Sequence, residues 1–225
     1  MTGADYVRDL AWSPSARRLA IAMADGTVTV CDDQGTTQWF KPAHMLAATA
    51  VVWLSDEVLL SGGEDNSVRA WSAAGERLAE RRFPAWIDGL HAEPGGMRAA
   101  VRAGPQLAVL EWCDAEGLVP RLDRREPNSI SDVHWLQQRG QFVTASYCRM
   151  RFWDIAVDEP IRELTWQGSM IAAAVSPDRR FAAAGTQEQS VHLWNLASGE
   201  ELYMAGFASK VAWLGWTADG RWLAT

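Results

Sequence analysis

The stretch "SGGEDNSVRAW", Ser61 to Trp71, brings a hydroxyl, two carboxylates, a glycine pair and an indole within eleven residues. With a histidine added, these are the residue types of acyl transfer, in which an imidazole takes a serine proton and a carboxylate orients the ring. The chain offers four histidines: His44, His91, His134 and His192. His134 and His192 stand beside Trp135 and Trp194 on alternating segments and read as solvated or half-buried strand residues, and His91 lies near the turn "EPGG". There is no HxH, HExxH or Cys/His cluster, so no metal site is expected. No GxGxxG or Walker loop is present either, and the glycine pairs 62–63 and 95–96 read as strand-end and turn glycines. No cofactor is expected.

Composition narrows the field further. At 225 residues and 48% hydrophobic content, the chain can bury a substantial core. Tryptophan is over-used, with 13 copies against three tyrosines and six phenylalanines, which suggests a repeated packing device. A net charge of −7 opposes the phosphate attraction on which nucleic-acid binders depend, so no nucleic acid partner is expected. Cys31, Cys113 and Cys148 are odd in number and far apart, which fits a reducing cytoplasm better than a disulfide framework. The opening "MTGADYVRDLAW" lacks an apolar signal core, and no apolar run approaches 18 residues, so neither secretion nor a membrane partner is expected.

Self-similarity explains the tryptophans. Five stretches align, the opening one among them: "LAIAMADGTVTVCD", "LLSGGEDNSVRAWS", "MRAAVRAGPQLAVLEWCD", "FVTASYCRMRFWD" and "FAAAGTQEQSVHLWN". Their closing positions, Cys31, Trp71, Trp112, Trp153 and Trp194, stand 40, 41, 41 and 41 residues apart. A second marker, at Trp12, Trp53, Ala92, Trp135, Val175 and Trp216, recurs at 41, 39, 43, 40 and 41. Each period reads as four short alternating strands joined by turns such as "SPSA", "ADG", "SPDRR" and "TADG", with no sustained helical period. Four antiparallel strands every forty or so residues predict an all-β fold, a β-propeller of four-stranded antiparallel blades. The predicted boundaries make residues 1–225 a single domain, with blades near 7–47, 48–86, 87–129, 130–169 and 170–209 and a partial one at 210–225.

The chain resembles the WD-repeat propeller family over nearly its whole length. The resemblance rests on "WSP" at 12–14, "VSPD" at 175–178, "ADGRWLAT" at 218–225, Trp153-Asp154, and the relaxed pairs Trp71-Ser72 and Trp194-Asn195. Runs such as "ARRLAIA" and "MRAAVRA" are similar to chains from bacteria with GC-rich genomes. What the resemblance implies for the opening stretch is structural: the family's best repeats bury a hydrogen-bonded tetrad, whose positions here are His44, Ser61, Asp65 and Trp71. In such a tetrad the indole donates to the hydroxyl, and the imidazole links the hydroxyl to the carboxylate. A catalytic triad would instead need an exposed serine oxygen beside an oxyanion hole. On the tetrad reading, Asp65→Ala costs about 1–3 kcal/mol through an unsatisfied buried group.

The other repeats depart from that pattern. The first keeps Asp25 but has Ile21 and Cys31, the third has Arg102 and Gln106, and the fourth has Val143 and Tyr147. In the fifth, the turn through "TQEQS" reads as one residue longer. Packing between blades must therefore supply most of the stability.

The family's geometry also implies a docking face, because the residue six before each first marker lies at the rim of the narrow face where partners bind. This selects Tyr6, Ala47, Trp86, Ser129, Ser169 and Lys210, and the turn before the third strand adds Glu64 and Tyr147. Tyr6, Glu64, Trp86, Tyr147 and Lys210 are the candidate partner-binding residues, with Trp86 and Tyr147 an aromatic anchor pair. Packing of Trp86 inward between blades is the competing expectation, and Asp88 and Asp132 are expected to line the channel mouth. The basic runs "ERRF" and "RLDRREP" read as solvated surface.

The sixth repeat stops inside its second strand, so the predicted ring is incomplete or truncated. The chain then reads as a piece of a longer protein, of roughly 290 residues if seven blades of about 41 are required. The alternative is a homodimer in which two copies complete each other's open blade. The expected function is a non-catalytic scaffold for a protein or peptide partner. The alternatives are an enzyme with its site in the channel and the propeller part of a longer signalling or assembly protein.

Overall fold

The structure, a computed structural model, describes residues 5–157 and 159–225. Their regular elements are all strands, and no helix is long and apolar enough to cross a membrane. Contacts divide the chain into two compact units, Met1–Glu126 and Pro127–Thr225.

The first unit holds three four-stranded antiparallel sheets. One is β1 (Val7–Trp12), β2 (Arg18–Met23), β3 (Thr27–Asp32) and β4 (Thr37–Pro42), in chain order. The next is β5 (Ala48–Trp53), β6 (Val58–Gly63), β7 (Ser67–Ser72) and β8 (Arg77–Arg82), and the third is β9 (Gly89–Ala92), β10 (Arg98–Ala103), β11 (Gln106–Cys113) and β12 (Gly117–Arg125). Side chains alternate across each strand, so neighbouring residues serve opposite faces. In the second sheet Leu59 and Trp71 join Ala20, Ala22, Val28 and Val30 of the first sheet in one buried cluster. Their neighbours Leu60 and Ala70 face the other way and join Ile87, Leu90, Val101 and Leu110 in another.

The second unit carries β13 (Ile130–Trp135), β14 (Gln141–Asp154), β15 (Arg162–Val175), β16 (Phe181–Thr186), β17 (Ser190–Asn195) and β18 (Glu201–Ala205), hydrogen-bonded in that order. Strand β14 contains a reversal. Trp153 Nε1 donates to Thr144 Oγ1 at 3.0 Å, whereas nine residues of straight strand would separate them by about 30 Å. The chain turns at Tyr147 and Cys148, where Cys148 takes the left-handed φ of 63°. Strand β15 then runs on from the outer edge of one four-stranded set, where Arg162 pairs with Phe152, into the first strand of the next, where Val175 pairs with Ala182. A partial last sheet follows, β19 (Gly215–Trp216) and β20 (Leu223–Ala224).

Four of the first strands in these sets carry a register shift at the same place, between Val7 and Asp9, Ala48 and Ala50, Ile130 and Asp132, and Met170 and Ala172. Such bulges re-aim a side chain. At two of them the side chain is a carboxylate that caps the next sheet: Asp9 Oδ2 accepts from Val51 N at 3.0 Å, and Asp132 Oδ2 accepts from Ala173 N at 2.8 Å.

The glycine pair of the opening stretch lies at the end of β6 and is fixed by space. A Cβ on Gly62 would collide with the Ile87 side chain, and one on Gly63 would land on the His44 ring. Gly63→Ala is therefore expected to destabilise by about 1–3 kcal/mol, the range of overpacked cores. A urea midpoint equal to that of the wild type would show that the ring does not sit there.

Candidate functional site

The constellation in the opening stretch assembles from three elements of one sheet and the loop before it. Ser61 projects from β6, Trp71 from β7, Asp65 from the turn between them, and His44 from the loop leading to β5. Trp71 Nε1 donates to Ser61 Oγ at 2.9 Å, Ser61 Oγ lies 2.8 Å from His44 Nε2, and His44 Nδ1 lies 2.8 Å from Asp65 Oδ1. Because an indole only donates and an ionised carboxylate only accepts, the proton order is fixed. Trp71 gives to Ser61, Ser61 gives to Nε2, and Nδ1–H gives to Asp65. The serine is fully buried. Its oxygen is engaged on both sides and presents no attacking lone pair to solvent.

Asp65 is the hub. Besides His44, it accepts from Ser67 Oγ at 2.6 Å, from Arg69 Nη1 at 2.9 Å and from Met45 N at 3.2 Å. Burial works against its ionisation, but the hydrogen bonds from Ser67, His44 and Met45 outweigh it and hold the carboxyl well below the ordinary range. Burial also lowers the His44 pKa, with Asp65 opposing and Arg69 assisting, which keeps the imidazole neutral. Arg69 reaches further, with Nε 3.0 Å from Glu80 Oε2 and Nη1 on the Ala43 carbonyl.

Arg69, Ser67 and Glu80 were not singled out from sequence, yet a signal for the arginine exists. Arg69, Arg151 and His192 each stand two residues before a closing tryptophan, and each pairs with a glutamate on the following strand: Glu80, Glu163 and Glu201. His192 is thus fully buried rather than solvated or half-buried. Its ring lies 4.1 Å from Trp166 and 4.9 Å from Tyr203, centre to centre. His91 lies on β9, just before the turn 93–96, and its Nε2 is 3.1 Å from Arg102 Nε.

Three register readings need correction. In the fourth repeat the hydroxyl that meets the tryptophan is Thr144, not the position of Val143, because the Tyr147–Cys148 reversal is one residue shorter than the turn 64–66. In the fifth repeat the turn 187–189 equals the turn 64–66 in length, so it is not longer. In the third repeat Leu110, not Trp112, holds the closing position: Leu110 pairs with Ala99 as Trp71 pairs with Leu59, and Trp112 lies two residues beyond, its Nε1 donating to Asp114 Oδ1 at 2.8 Å.

The rim candidates have mixed surroundings. Tyr6, Trp86 and Tyr147 are 81%, 58% and 56% exposed, so Trp86 does not fold inward. Lys210 is exposed and Ala47 buried, while Glu64 lies 3.9 Å from Arg8. Trp86 belongs to the first unit and Tyr147 to the second. Asp132 does not offer a free carboxylate to a channel, since its two oxygens accept from Val133 N and Ala173 N.

Sheets of four antiparallel strands, repeated with a buried Trp-hydroxyl contact, define a repeat all-β protein. The profile of the family described as WD domain, G-beta repeat matches residues 1–32 and 36–72. A WD40-type repeat domain therefore covers residues 1–72. Among the described residues, no group of three or more His, Cys, Asp and Glu side chains is arranged to hold a metal ion.

Proposed function

We propose that the chain is a non-catalytic scaffold, a WD-repeat β-propeller domain whose rim residues dock a protein or peptide partner. The observation that carries this reading is the fate of the serine, histidine and aspartate group. Ser61 Oγ is buried between Trp71 and His44, so the grouping best placed for acyl transfer serves as a strut inside the sheet. Exposure supports the docking half: Tyr6, Trp86 and Tyr147 leave most of their side chains in solvent, and aromatic residues of that kind dominate interface hot spots. A fold alone does not assign a function, so the reading stands on these positions.

The test is quantitative crosslinking and mass spectrometry with the tagged chain in extracts of its own cells. Trp86→Ser or Tyr147→Ser is expected to lower capture of the principal partner by about tenfold or more, the scale of a hot-spot residue. Partner capture unaffected by either variant and by Tyr6→Ser would contradict the docking face. Ester hydrolysis lost in a folded Ser61→Ala variant would overturn the non-catalytic reading.

A further inference from the structure

Trp86 does not stand on a flat surface. It borders a depression of about 310 Å³ lined also by Asn66, Pro84, Ala85, Asp88 and Gly104. That volume is at the small end of ligand sites. Its chemistry is uneven. Pro84, Ala85 and the exposed indole supply apolar wall, and Asp88 is the one charged lining residue. Asp88 is exposed, and its Oδ2 accepts from Gly104 N at 2.5 Å, which fixes the carboxylate against the wall. Its other oxygen has no partner among the described residues. Arg102 donates from Nη2 to the Asp88 carbonyl at 3.2 Å and from Nε to His91.

We propose that this depression takes the basic side chain, lysine or arginine, of a docking protein segment, its stem against Trp86 and Pro84 and its charged head on Asp88. Long cationic side chains bury their methylenes on apolar surface while the head stays polar, and tryptophan is the strongest aromatic partner for a cation. An acidic side chain would face Asp88 with like charge, and a purely apolar one would strip water from a carboxylate without replacing it. The chain's net charge of −7 also favours encounter with basic partners. This inference rests on the reading that the chain acts by binding, and it names the chemistry of one contact.

The test is nitrogen-15 NMR on the whole chain, titrated with four capped glycine-serine peptides that differ only at the central residue: lysine, arginine, norleucine or glutamate. The Trp86 indole and Gly104 amide signals are expected to shift with the lysine and arginine peptides and not with the other two. Asp88→Asn, which can still accept from Gly104 N, is expected to weaken the lysine peptide by about five-fold at low salt, and Trp86→Ala by about ten-fold. Equal shifts with norleucine, or affinity unchanged in Asp88→Asn, would overturn the proposal while leaving the scaffold reading in place. If no peptide of a broad-composition array moves the signals of Tyr6, Trp86 or Tyr147, the proposal and the scaffold reading fall together.

Discussion

Trp153→Ala is expected to destabilise the second unit by about 3–5 kcal/mol, the cost of deleting a buried aromatic side chain from a packed core. Trp153 is 1% exposed, and its ring stacks on Phe142 at 6.2 Å between centres. Phe142 in turn lies 5.0 Å from Trp135, so truncation opens space within a chain of three rings. The same change leaves the Thr144 hydroxyl without the indole that donates to it. Thr144→Val separates the two effects, because it removes the acceptor and keeps the ring, at an expected cost near 1 kcal/mol. Urea unfolding followed by far-UV circular dichroism and tryptophan fluorescence gives both values. The two probes must be compared, since a chain of two compact units need not unfold in one step. A loss under about 1 kcal/mol for Trp153→Ala would mean that the core yields around the missing ring.

Asp65→Ala is expected to cost about 3–5 kcal/mol at neutral pH, more than a single lost acceptor. The Asp65 and Arg69 side chains are 8% and 10% exposed, and removal of the carboxylate takes one of its two anionic partners from a buried guanidinium, which keeps Glu80, and strands His44 Nδ1–H and the Ser67 hydroxyl. The pH dependence has a definite sign. Asp65 has a depressed pKa when folded, so its stabilisation is complete above the unfolded carboxylate value near 3.9 and fades as pH falls below it. His44 is likewise depressed, so protonation opposes folding below the unfolded imidazole value near 6.5. Wild-type stability should therefore decline in two stages on acidification. The gap between wild type and Asp65→Asn should shrink below about pH 4, as the Asp65 carboxyl of the unfolded wild-type chain begins to protonate. A gap that stays constant down to pH 2 would mean that Asp65 titrates alike in both states.

Much of this architecture was legible because the repeat is periodic in the residues that pack. Closing positions Cys31, Trp71, Trp153 and Trp194 mark equivalent points of β3, β7, β14 and β17, whereas in β11 that point is taken by Leu110, two residues before Trp112. The positions of His44, Ser61, Asp65 and Trp71 could be picked out because each carries a distinctive polar type. What was not legible depends on local geometry. Thr144 was displaced by one residue because a two-residue reversal replaced a three-residue turn, and alternation does not reveal turn length. Asp132 reads from sequence as an acid of the channel mouth, and only the bulge beside it aims its carboxylate at the Ala173 amide. Arg69 was not singled out because its enclosure depends on Asp65 of the preceding turn and Glu80 of the facing strand, which the sheet brings together around it.

The central claim is that Ser61, His44, Asp65 and Trp71 form an internal strut. Hydrogen exchange at the Trp71 indole N–H measures it most directly, because that proton is given to Ser61 Oγ. The account predicts exchange only through the opening that unfolds the second sheet, with protection equal to that of the most protected β6 and β7 amides and lowered in parallel with them by Asp65→Ala. Exchange at the rate of an exposed indole, with β6 and β7 still protected, would mean that Ser61 is free of Trp71 and open to chemistry.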